Sequence, residues 1–125
     1  MTKRKIFYSM IQENDIVGLK KQDGYEIDIN GTKFNAYINE INNSAYILDP
    51  KNGTAVFTYR YSLSTLSPYE HIQQAKNEFI RQGAFEKWKE LCNRENYQLA
   101  KKMFKAYKKA EQQRELLHKE SRFFL

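Results

Sequence analysis

Gly24-Tyr25-Glu26-Ile27-Asp28-Ile29-Asn30-Gly31-Thr32-Lys33-Phe34-Asn35-Ala36-Tyr37-Ile38 is the stretch from which the fold is read. Asn-Gly between two alternating runs predicts a hairpin, because a tight type I′ turn needs positive φ at both central residues. With Asn30-Gly31 as the loop, Ile29 faces Thr32, Asp28 faces Lys33, Ile27 faces Phe34 and Tyr25 faces Ala36. One face then carries Tyr25, Ile27, Phe34 and Ala36, and opposite charges pair on the other.

Working outward, Ala45-Tyr46-Ile47-Leu48 leads through Asp49-Pro50-Lys51-Asn52-Gly53 into Thr54-Ala55-Val56-Phe57-Thr58-Tyr59-Arg60-Tyr61. Two apolar runs around a cluster of turn residues read as a second hairpin. Residues 5–19 fit neither a helix nor a strand cleanly and read as a strand or irregular segment packed on the sheet. Downstream, Ser67-Pro68-Tyr69-Glu70 has the grammar of a capping box with proline at the first helical position. Ile72, Ala75, Phe79 and Ile80 follow at helical spacing until Gly83, a stop signal. A short helix carries Phe85, Trp88, Leu91 and Cys92, and a long one runs from about 94 to 120. The expectation is an α+β fold: an antiparallel β-meander of about four strands, then about three helices with the last one long. It reads as a single domain over 1–125, with a β-rich half at 1–66 and a basic helical half at 67–125. Phe79, Trp88, Leu91, Phe104 and Tyr107 are expected to form the helical core, and Phe123-Phe124-Leu125 to tuck into a groove.

Nine Tyr and eight Phe help make 14% of the 125 residues aromatic, which excludes a disordered chain. Cys92 is the only cysteine, so no internal disulfide forms. No apolar run reaches the roughly 18–20 residues of a membrane span, and the start lacks the apolar stretch of a signal peptide. These features place the protein in the cytoplasm, away from membranes. The net charge of +6 is uneven: residues 1–68 hold eight Lys/Arg against seven Asp/Glu, whereas 69–125 hold thirteen against eight. Such a helical half suits an acidic partner, either nucleic acid or a nucleoprotein or host protein with an acidic surface.

The charge concentrates in one place. Residues 97–110 contain Lys101, Lys102, Lys105, Lys108 and Lys109 and no acid. At 100° per residue the five fall within about 120° of the helix circumference, and they are the candidate anion- or partner-binding residues. Tyr97, Ala100, Met103, Phe104, Tyr107 and Ala110 occupy the remaining side and are expected to pack. A solvated face usually mixes signs, since like charges at i and i+4 oppose a helix. Lysine rather than arginine favours point contacts to phosphate or carboxylate over base readout. The competing reading is that the face is merely solvated. Tyr59, Arg60 and Tyr61 form a secondary candidate, a stacking platform for single strands, against which stands ordinary sheet packing of the two tyrosines.

Catalytic patterns are missing. Asp23, Glu26, Asp28, Glu40 and Asp49 are the carboxylates available for acid–base work, yet Asp28 faces Lys33 and Asp49-Pro50 is turn chemistry. No glycine-rich phosphate loop, nucleophile elbow or dinucleotide fingerprint occurs. His71, Cys92 and His118 are isolated, so neither a metal site nor a cofactor is expected. The chain reads as a binding protein and not an enzyme, the remaining alternative being an enzyme whose site is assembled only in the fold.

Asp23-Gly24-Tyr25-Glu26-Ile27-Asp28-Ile29-Asn30-Gly31-Thr32-Lys33-Phe34, followed by Asp49-Pro50-Lys51-Asn52-Gly53, resembles small uncharacterised proteins of Gram-positive phages and conjugative elements. The resemblance implies a mobile-element context. Small non-enzymatic proteins there act by binding and blocking a host nucleoprotein, as anti-CRISPR proteins do. It carries over no functional residue.

Overall fold

The computed structural model describes residues 3–62 and 66–123, with side chains described over 4–62 and 66–118. Five strands form one antiparallel sheet in the order β1-β2-β3-β4-β5. They are β1 (Lys3–Glu13), β2 (Ile16–Ile29), β3 (Thr32–Asn39), β4 (Ser44–Leu48) and β5 (Ala55–Arg60). Three helices follow: α1 (Pro68–Arg81), α2 (Ala84–Leu91) and α3 (Glu95–Phe123). The α+β meander with a long last helix is the architecture read from the sequence, with one strand added at its start.

That strand, β1, comes from the ambiguous segment. Asn14 and Asp15 both take positive φ, 49° and 67°, and close a second two-residue turn between β1 and β2. The β2–β3 register is the expected one, with Ile29 opposite Thr32, Ile27 opposite Phe34 and Tyr25 opposite Ala36.

Gly24 marks where the sheet divides. β2 pairs with β3 only from Tyr25 to Ile29, yet continues alongside β1 back to Ile16. A Cβ at Gly24 would lie 2.1 Å from the Ala36 carbonyl oxygen, so only glycine permits the two backbones to close there. The β1–β2 hairpin then curls over the sheet. Phe7 reaches Tyr37 with ring centroids 6.3 Å apart, and Tyr37 stacks on Tyr46. Beyond them the Met10 amide donates to the Gly53 carbonyl at 2.7 Å, bringing the first strand to the β4–β5 turn. The face bearing Tyr37 is thereby covered by the hairpin, and the alternate face is left to the helices.

On that alternate face lies the main core: Ile27, Ile29, Phe34, Ala36, Ala45 and Ile47 from the sheet, against Ile72, Ala75, Phe79, Phe85 and Trp88. Phe34 is its hub, with ring centroids 4.8 Å from Trp88, 5.6 Å from Phe79 and 6.4 Å from Phe85, all edge-on. α1 begins as its sequence dictates. Ser67 Oγ accepts from the Glu70 amide at 3.3 Å, and Glu70 Oε1 accepts from the Ser67 amide at 3.4 Å. Ser67→Ala should therefore lower stability by about 0.5–2 kcal/mol in a urea titration. A midpoint unchanged within error would mean the box contributes nothing.

Two expected core residues are not in it. Leu91 is 46% exposed and Tyr107 37% exposed, whereas Phe79, Trp88 and Phe104 are buried. Both misplacements follow from the seating of α2 and α3, described below. Of the Phe123-Phe124-Leu125 tail, Phe124, Leu125 and the Phe123 side chain lie outside what is described, so its expected groove lies outside the described residues.

Candidate functional site

α3 is held to the rest of the protein at three heights. Near its start, Tyr97 Oη donates to Asp49 Oδ2 at 2.5 Å, and Trp88 Nε1 of α2 donates to the same oxygen at 2.8 Å. Asp49 is fully buried, and its other oxygen accepts the Lys51 amide at 2.7 Å. One turn carboxylate therefore ties both helices to the β4–β5 turn. Burial and the hydrogen bond to Asp49 push the Tyr97 hydroxyl well above the usual tyrosine range. At mid-height Phe104 is buried against Gly53, where a Cβ would lie 2.3 Å from the ring and where φ is 69°. Further along, Glu115 accepts from Tyr8 Oη and pairs with Lys21, both at 3.1 Å, which joins α3 to the β1–β2 hairpin.

These anchors set the rotation of the helix. The seam runs along Tyr97, Ala100, Lys101, Phe104, Lys108, Glu111 and Glu115, the half-buried or buried positions. It is turned by about 60–70° from the apolar arc expected to pack. Lys101 and Lys108 consequently lie along the seam, with ammonium groups 6.0 Å from the Tyr97 ring centroid and 4.8 Å from that of Phe104. Their stems cover apolar surface while their charges reach water. Lys102, Lys105 and Lys109 point fully outward. Met103, Tyr107 and Ala110, expected to be packed, are exposed on the other flank together with Leu99. The helix has three sectors: a seam, a lysine sector and an exposed apolar sector.

Among the described residues none of the five lysines is in an ion pair. Elsewhere six cations are paired, Arg4 with Asp23, Lys5 and Lys33 with Glu26, Lys21 with Glu115, Arg81 with Glu78, and Arg114 with Glu111, while scattered ones such as Lys20, Lys51, Arg60 and Lys76 are also in no ion pair among the described residues; what sets the five apart is their clustering without an acid. Arg94, exposed just before α3, lies on the side of the lysine sector about two turns ahead of Lys101. With Lys87 it edges a groove of about 500 Å³ whose floor includes Val56, Trp88, Leu91 and Tyr97. The groove explains Leu91, whose side chain lines open space and not the core.

The secondary candidates are not brought into this site. Tyr61 is buried and stacked on His71, with centroids 3.6 Å apart, and Tyr59 packs on the core. Arg60 alone is exposed. Tyr61 therefore has no free face for a base, while Tyr59 is half-buried with one side on the core. Among the described residues no group of three His, Cys, Asp or Glu could hold a metal, and no helix is long and apolar enough to cross a membrane. Asp49 is the residue whose part sequence reasoning missed. Its partners lie 39 and 48 positions away, and turn grammar contains no trace of them.

Comparison with family models, curated proteins and solved structures finds no match to this chain.

Proposed function

We propose that this is a non-enzymatic binding protein whose α3 lysine sector engages nucleic acid, or a host machine that handles nucleic acid. The observation that carries the reading is five lysines over three turns with no acid among them and no ion pair among the described residues. Holding like charges together opposes helix formation slightly, by tenths of a kcal/mol per pair (about 0.2–0.5). An anionic partner offsets that cost and gains from releasing counterions. The hairpin resemblance supports a phage or mobile-element accessory role in the cytoplasm, inhibition of a defence system such as CRISPR being one form of it.

Lys102→Glu, Lys105→Glu and Lys109→Glu together are the informative variant, because these side chains are exposed and, among the described residues, lie over no aromatic ring. Lys101 and Lys108 cover Tyr97 and Phe104, so reversing them would disturb packing as well as charge. The triple variant should keep its unfolding midpoint close to wild type. Its affinity for a labelled oligonucleotide, read by fluorescence anisotropy at low salt, should fall by about a hundredfold or more. A folded triple variant with undiminished affinity would sink the reading. A purely protein-protein role is the second reading, favoured by the exposed Leu99 and Met103 beside the lysines.

A further inference from the structure

The outward apolar sector of α3 has a regular spacing. Leu99, Met103, Ala106 and Ala110 follow at intervals of four, three and four residues, and Gln113 and Leu117 continue the series. That alternation is the seam of a two-helix coiled coil. Leu99 is 58% exposed, Met103 40% and Leu117 65%, so the seam has no partner among the described residues. It lies on the side of α3 away from Phe104, which faces Gly53, and is distinct from the contact with the sheet. A five-turn series of exposed, heptad-spaced side chains, apolar at every position but Gln113, is unfavourable to leave in water.

The flanks identify the occupant. With Met103, Ala110 and Leu117 as a positions and Leu99, Ala106 and Gln113 as d positions, Lys102 and Lys109 fall at g. Tyr107 and Arg114 fall at e, and Arg114 is already paired with Glu111. A second copy would bring lysine against lysine in an antiparallel pair. In a parallel pair it would bring lysine against tyrosine or arginine. Neither arrangement supplies an acid to Lys102 or Lys109, and like charges across an interface are costly. Ala106 and Ala110 at the centre permit close approach of a partner backbone.

We propose that this sector docks an amphipathic helix of another protein, with apolar residues at a and d and carboxylates where they meet Lys102 and Lys109. The site adjoins the lysine sector without depending on its binding phosphate. With Lys102 and Lys109 turned to the partner helix, Lys101, Lys105 and Lys108 remain for phosphate, so a single helix serves both the protein and the nucleic-acid parts of one nucleoprotein assembly.

The test uses the full chain and two probes: a labelled three-heptad peptide with Leu at a and d and Glu at e and g, and a labelled single-stranded oligonucleotide. Wild type should bind the peptide, and Leu99→Ser with Met103→Ser should weaken that binding by about tenfold or more. The same double variant should keep its helicity by circular dichroism and its oligonucleotide affinity. Lys102→Gln with Lys109→Gln should also weaken the peptide. Equal peptide binding by wild type and the serine variant would overturn the docking site, as would no peptide binding by folded protein that still takes the oligonucleotide. A wild-type dimer in sedimentation velocity that the serine variant abolishes would overturn it too, making a second copy the occupant. Peptide binding without oligonucleotide binding would uphold the docking site and remove the phosphate reading instead.

Discussion

Asp49→Ala should destabilise the protein by about 3–5 kcal/mol, since it strands the Trp88 indole N–H, the Tyr97 hydroxyl and the Lys51 amide at once. Each donor left unsatisfied in a buried place costs about 1–3 kcal/mol, and the three share one carboxylate, so their losses do not simply add. Asp49→Asn keeps the shape and one acceptor oxygen, and should cost roughly half as much. Trp88 is the only tryptophan, so its fluorescence during urea unfolding reports the very group that loses its partner. A loss below about 1 kcal/mol, within the range of an ordinary surface change, would mean that Asp49 does not join the helices to the turn.

Phe34→Ala should cost a similar amount, about 3–5 kcal/mol, for a different reason. Phe34 is fully buried and touches aromatic rings from both α1 and α2. Removing it leaves a cavity bounded by rings that belong to rigid elements and cannot collapse far. Phe34→Leu, with a smaller void, should lose less. Chemical unfolding of the two variants orders them, and an alanine variant as stable as the leucine one would show that the site refills.

The elements that local chemistry specifies were legible in the sequence. Asn30-Gly31 set the β2–β3 register to the residue, and Ser67-Pro68-Tyr69-Glu70 set the start of α1, because each signal acts within a few positions. β1 was not legible. Its turn, Asn14-Asp15, lacks glycine, and Ile6 and Ile16 are exposed, so its alternation carries little hydrophobic contrast. The lysine sector was legible as a charge pattern, but its orientation was not. Periodicity gives the width of an apolar arc and not which edge of it lies on the core. Here Tyr97 is drawn inward by Asp49 and Phe104 by the bare backbone of Gly53, which turns Met103, Tyr107 and Ala110 to the outside. Both anchors sit in the β4–β5 turn, far from α3 in sequence. The same rotation makes Lys101 and Lys108 half-structural.

The salt dependence of oligonucleotide binding bears most directly on the proposal that the lysine sector meets phosphate. If all five lysines neutralise phosphates, log Kobs should fall against log salt with a slope of about −4.5 on a duplex and about −3.5 on a single strand. In the Lys102→Glu, Lys105→Glu, Lys109→Glu variant the duplex slope should flatten by about 2.7, or disappear with the binding. A wild-type slope near zero, or an unchanged slope in the folded triple variant, would contradict it.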